Sequence, residues 1–152
     1  MTDADLAARV RRLELIELAK AATVEYGRAC DREDVGALRR DVFTDDVVLH
    51  LPGRDVHGPD DVAAFYTGAF AAQPGNRRHF VTNQLASVDD GGRVVVESYF
   101  LFLSADATSV IGWGVYRDVV AVADDAARIA DKTIVMDVHT DVTRGWAMEP
   151  AT

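Results

Sequence analysis

The sequence is short of cysteine, of positive charge and of long apolar runs, and each shortage removes a class of protein. Its one cysteine, Cys30, has no partner in the chain for a disulfide. The opening run MTDADLAARVRRLE lacks the apolar core of a secretion signal, so a cytoplasmic protein is expected. Lys and Arg number 16 against 25 Asp and Glu, for a formal net charge of −9 and a pI near 4.7. A field of that sign repels phosphate backbones and anionic headgroups, so neither nucleic acid nor a membrane surface is an expected partner. No apolar stretch approaches the roughly 20 residues that cross a bilayer. There is also no glycine-rich phosphate loop, no GxSxG elbow and no paired CxxC, which leaves nucleotide, serine-hydrolase and redox chemistry without support. His50, His57 and His139 form no recognised ligand spacing with Cys30, and His139 in DVHTD offers two ligands at most, so no metal and no cofactor is expected.

What is present suits one domain: 152 residues at 49% hydrophobic content can build a single sizeable core, and no repeat, low-complexity tract or linker divides them. Between Asp5 and Asp31 there is no proline and only Gly27, while Leu6, Val10, Leu13 and then Leu15, Leu18, Ala22 and Tyr26 recur at helical spacing. One long helix follows, with Thr2 or Asp3 able to cap it. A short helix over Val35 to Val42 comes next, then a strand in DVVLHL, Asp46 to Leu51, closed by Pro52 and Gly53. GRDVHG reads as a loop. Pro59 suits the first position of a third helix, whose stripe is Val62, Phe65, Tyr66 and Phe70 and which ends near Gln73.

The remainder reads as strands over Arg78 to Val88, Arg93 to Ser104, Thr108 to Ala123 and Arg128 to His139. Three helices followed by an antiparallel meander predict an α+β fold with the helices on one face of a curved sheet. The strand VVVESYFLFL is apolar on both alternating faces, so its outer face is expected to meet another subunit. The core spans about residues 8 to 140, and TRGWAMEPAT reads as an irregular tail.

Four segments in this order carry a resemblance to a known family: EYGRACDREDVGALRRDVFTDDVVLHLPG, HGPDDVAAFYTGAF, RRHFVTNQLASVDDGGRVVVESYF and GVYRDVVAVADDAARIADKTI. Together they resemble the SnoaL-like branch of the nuclear transport factor 2-like superfamily. The resemblance implies a cone-shaped α+β barrel, open at one end around an apolar pocket. Its nearest active-site pattern is that of scytalone dehydratase, hexachlorocyclohexane dehydrochlorinase and bile acid 7α-dehydratase, lyases built on an Asp/His dyad. Their aspartate matches Asp31, at the end of the first helix, and their histidine matches His79, at the start of the strand after the third helix. Tyr26 matches a tyrosine of the bile acid enzyme, where the dehydrochlorinase has lysine. The second histidine of scytalone dehydratase has no counterpart, since Ile111 and Trp113 occupy that region. Leu51 before Pro52 replaces the catalytic aspartate of the ketosteroid isomerase branch.

Read without the family, Asp31 is a helix-end carboxylate in the solvated run DREDV, and His79 is a capping or surface histidine beside Arg77 and Arg78. Read as a pair, an imidazole near its ordinary pKa of about 6.5 is the base, and the carboxylate fixes its tautomer and stabilises the imidazolium. That carboxylate would raise the pKa of His79 and burial would lower it. Tyr26 lies one and a half turns before Asp31, so the two share a pocket only where the helix bends or ends. Tyr116 and Trp113, three apart on a strand, face opposite sides, and the match to a pocket-lining position of scytalone dehydratase implies that Tyr116 is the one in the pocket. Phe43, Phe65, Phe80 and Met136 are candidates for its apolar lining.

The expected activity is a cofactor-independent lyase of dehydratase type. It would act on a small apolar hydroxylated carbonyl compound such as a steroid, terpenoid or polyketide. The same dyad would also serve an isomerase or a polyketide cyclase. A noncatalytic subunit similar to the β subunits of aromatic-ring-hydroxylating dioxygenases is the alternative, on the strength of RHFVTN and VESYFLFL. A homo-oligomer, dimer or trimer, is expected in the enzymatic case.

Overall fold

The computed structural model describes residues 1–73, 75–105, 109–124 and 126–142; the irregular tail expected after 142 lies outside them. Helix α1 runs Asp3–Asp31, and Thr2 caps it with a reciprocal box: the Thr2 hydroxyl accepts from the Asp5 amide while the Asp5 carboxylate accepts from the Thr2 amide. Its buried residues begin only at Ala19, so the first half of the helix stands largely in solvent. The second helix, α2 (Val35–Ala37), is capped by Asp34 and continues as a π-helical turn over Leu38–Val42. Helix α3 (Gly58–Ala72) has Pro59 in its first turn.

Six strands form one sheet: β1 (Phe43–Leu51), β2 (Arg54–His57), β3 (Asn76–Val88), β4 (Val94–Ala105), β5 (Ser109–Ala123) and β6 (Ala126–Asp141), in the order β2-β1-β6-β5-β4-β3. Strands β3 to β6 are the expected meander. The sheet as a whole is mixed and does not close, because β1 pairs with β6 in parallel. An all-antiparallel sheet is therefore corrected at this one pairing: β1, which lies between α2 and α3 in the chain, runs in the same direction as β6. The segment GRDVHG is likewise more than a loop, since Arg54–His57 folds back on Val48–Leu51 as β2. Pro52 and Gly53 make the tight turn, with Gly53 at φ 79, where a side chain would be strained. His50 fastens this corner, its two ring nitrogens meeting Asp55 at 2.8 Å and Asp131 at 2.9 Å across β2, β1 and β6.

Register sorts the meander into two faces. Val96, Ser98, Phe100, Val110, Tyr116, Asp118, Val120, Ile129 and Lys132 are buried on the inner face, against α1 and α3. On the outer face Phe80 opposes Leu101, Leu101 opposes Trp113 and Trp113 opposes Val138, beside a second row of Tyr99, Val115 and Val135. Tyr99 is 56% and Leu103 41% exposed there, a contiguous apolar surface of the kind that marks interaction sites. Among the described residues no helix is long and apolar enough to cross a membrane.

Candidate active site

A cavity of about 290 Å³ opens between the inner face of the sheet and helices α1 and α3. Helix α1 contributes Tyr26 and Cys30, four residues apart and so on one helical face; α3 contributes Phe65, Tyr66 and Phe70. The sheet adds Arg77 and His79 from β3, Phe100, Phe102 and Ser104 from β4, Tyr116 from β5, and Ile134 and Met136 from β6.

The geometry resolves how Asp31 and Tyr26 share one site although the helix turns them apart. Asp31 is the last residue of α1 and does not line the cavity itself. Its Oδ1 accepts two hydrogen bonds from His79, one from the backbone amide at 2.9 Å and one from ring Nδ1 at 2.7 Å. A carboxylate acceptor places the proton on Nδ1, which leaves Nε2 with a lone pair and, among the described residues, no partner. His79 lines the cavity and stacks on Phe102 at 5.6 Å. Gly27, the single glycine inside α1, has its local reason here: a Cβ at that position would lie 3.2 Å from Cβ of His79. Burial lowers the pKa of His79, outweighing the Asp31 hydrogen bond and charge that raise it, with Arg77 and Lys132 adding to the lowering. The imidazole is thus neutral at neutral pH and able to accept a proton.

Three phenols meet in the wall of the same cavity. The Tyr66 hydroxyl donates to Tyr26 at 3.0 Å, and the rings of Tyr26 and Tyr116 lie edge to face at 5.5 Å. Burial pushes all three phenols well above their ordinary pKa, so they serve as proton-bearing donors, not as bases. The same burial pushes the Cys30 thiol to about 12, which removes it as a nucleophile.

Behind the phenols lies a pair that the sequence reading missed. Lys132 and Asp118 face each other in the β5–β6 register, both without exposure, with Nζ 2.9 Å from Oδ1. The ammonium also sits 3.8 Å from the Tyr26 ring centre and 3.7 Å from that of Tyr116, a double cation–π contact. Burial pushes the Asp118 pKa up and that of Lys132 down, while each partner opposes the shift of the other.

Two expected lining residues are corrected. Phe43 is buried but lies behind the cavity, its ring 6.0 Å from Tyr26 and 6.1 Å from Tyr66. Phe80 is 47% exposed on the outer face, because it follows His79 in a strand and alternation sends it the other way. Phe65, Met136, Tyr26 and Tyr116 do line the cavity, and Trp113 faces outward. Tyr66, Arg77 and Ser104 are lining residues that the sequence reading did not single out. Among the described residues, no group of three or more His, Cys, Asp or Glu is placed to hold a metal ion.

Residues 11–133 match the SnoaL-like domain family. Solved structures with the same fold include a candidate scytalone dehydratase from Novosphingobium aromaticivorans, at 19% identity and TM-score 0.72, with 93% of this chain and 91% of that one covered. The hexachlorocyclohexane dehydrochlorinase LinA-type3 of Novosphingobium barchaimii is 16% identical at TM-score 0.71, with 99% and 100% covered. A candidate aromatic ring hydroxylase from Novosphingobium aromaticivorans is 21% identical at TM-score 0.72, with 82% and 90% covered. A search of the curated proteins finds no significant sequence match.

Proposed function

The chain belongs to the SnoaL-like domain family of the nuclear transport factor 2-like superfamily, and within it we propose a cofactor-independent lyase of dehydratase type acting on a small, largely apolar hydroxylated carbonyl compound. The observation that carries this reading is the 2.7 Å contact of Asp31 with His79 in the wall of an apolar cavity, with Nε2 left for a ligand. In the reaction, Nε2 takes the proton from the carbon beside the carbonyl, and the electron pair moves onto the carbonyl oxygen as an enolate. Tyr26 and Tyr116 donate hydrogen bonds to that oxygen, where donors fixed in a dry site lower the barrier most. The enolate then collapses, the β-hydroxyl leaves with the proton returned from the imidazolium, and water and an enone result. Asp31 stabilises the imidazolium throughout. If the enolate is reprotonated at another carbon the same machinery isomerises, and if it attacks a second carbonyl it closes a ring.

Mass spectrometry in D₂O across a panel of cyclic β-hydroxy ketones tests the proposal. Turnover or deuterium uptake beside the carbonyl is expected, abolished in His79→Ala. Wild-type protein that neither exchanges nor eliminates with any member of the panel would move the chain to the noncatalytic-subunit reading.

A further inference from the structure

One end of the cavity is polar in a way the dyad does not use. Arg77 and Ser104 face each other in the β3–β4 register, and an Arg77 Nη2 donates to the backbone carbonyl of Gln73, where α3 ends. All three residues line the cavity. Each carries an atom without a hydrogen-bond partner among the described residues: Arg77 Nε, Gln73 Nε2 and Ser104 Oγ. The Arg77 side chain is only 9% exposed and Ser104 only 4%, so neither stands in bulk solvent. Leaving buried donors unpaired is costly, and a group arriving through the cavity is what can satisfy them together.

The chemistry of that group follows from theirs. An arginine Nε–H donates only, the glutamine amide nitrogen donates only, and a serine hydroxyl can do so. Arg77 Cζ lies over Phe70, 4.8 Å from its ring centre, and its other partner is Glu33 at 3.2 Å, an exposed carboxylate screened by water. Clustered donors around a fixed guanidinium suit a carboxylate, which accepts at two oxygens. Arg77 precedes His79 by two residues on one face of β3, a separation of about 7 Å along the strand.

We infer that Arg77, Gln73 and Ser104 form a carboxylate-binding subsite, and that the ligand of the cavity is an apolar ring acid whose carboxylate docks there while its far end reaches His79. This rests on the lyase reading for what happens at His79, but the docking itself does not.

Calorimetry on the whole chain, above the histidine titration range, tests it with 2-naphthoate and its neutral isostere 2-naphthylmethanol. The carboxylate is expected to bind at least about tenfold tighter, as one charged hydrogen bond implies. Arg77→Met should bring the two probes within about twofold of each other. Ser104→Ala and Gln73→Leu should each reduce the preference by about threefold, and they carry the test if Arg77→Met melts abnormally. Equal affinity of the two probes, binding of neither, or a preference that survives these variants overturns the inference. His79→Ala should keep the carboxylate preference while losing deuterium exchange. An intact preference in a wild-type protein that never exchanges would therefore remove the lyase reading and leave this subsite standing.

Discussion

Asp31→Asn isolates charge from geometry at the dyad. Both hydrogen bonds from His79 end on the same atom, Oδ1, so an amide oxygen in that place can accept both and hold β3 against α1. What the substitution removes is the negative charge that favours the imidazolium. A hydrogen bond to a charged group is worth about 1.5–3 kcal/mol, roughly twice a neutral one, so about 1–2 kcal/mol of stabilisation of the protonated ring is lost. At 1.36 kcal/mol per decade, turnover should fall roughly 5- to 30-fold, with His79→Ala falling further, by about 10² to 10⁴. The variant should melt close to wild type, since its backbone contact survives. Two assays read it: the rate of deuterium uptake on the best substrate of the panel, and a nitrogen-detected NMR titration of the His79 ring. The ring should titrate at lower pH than in wild type, because the charge that opposed burial is gone. An unchanged titration and an unchanged rate in a folded variant would refute the assignment of Asp31 as the group that supports the base.

Gly27→Ala should raise helix propensity by about 1 kcal/mol yet slow turnover, because the new methyl would sit 3.2 Å from Cβ of His79 and press β3 outward; the same rate as wild type would show that the close approach is incidental. Lys132→Met leaves Asp118 buried without its counter-charge and should cost about 3–5 kcal/mol in urea unfolding, whereas Lys132→Met with Asp118→Leu should recover most of that; a double variant no more stable than the single one contradicts this. The histidines should give opposite pH signatures. His50 is raised, first by its hydrogen bond to Asp131 and then by that to Asp55, so its stabilisation is full below the unfolded value near 6.5 and is lost as pH rises through its folded value. His79 is lowered, so its contribution is full above 6.5 and is lost as pH falls toward its folded value. Melting temperatures of His50→Gln and His79→Ala against pH should therefore deviate from wild type in opposite directions on the acid side. The outer sheet face should hold copies of the chain together, so light scattering should find a dimer or trimer that Tyr99→Glu with Leu103→Glu reduces to a monomer; a wild-type monomer at micromolar concentration would exclude it.

The elements were legible where a single period governed a long segment. Helical spacing holds in two stripes, Leu6 to Leu13 and Leu15 to Tyr26, and α1 runs through both without a break, while the four long strands appear within about two residues of their expected ends. Strand β2 was not legible, because four residues after a Pro-Gly turn carry too little pattern and owe their pairing to a neighbour. Nor was the parallel β1–β6 contact, which joins segments more than 80 residues apart and has no local signature.

At the site, the misplacement of Phe80 and the omission of Arg77 and Asp118 have one cause, and the remedy was in the sequence. Counting by twos along β3 from His79 reaches Arg77 in one direction and Val81 in the other, and it excludes Phe80; counting by twos from Tyr116 reaches Asp118. A charged residue on the inner face of a strand demands a partner, and the partner of Asp118 is the lysine that register places opposite it. The apolar character of single residues says less than this parity does. Phe80 is as apolar as Phe102, yet only Phe102 shares the face of its dyad. The same parity puts Arg77 beside the base and Lys132 beneath the phenols. The cavity therefore has an apolar middle, with the Arg77 guanidinium in one wall and the neutral Lys132–Asp118 pair buried behind the phenols, whose hydroxyls are the donors suited to negative charge building on oxygen.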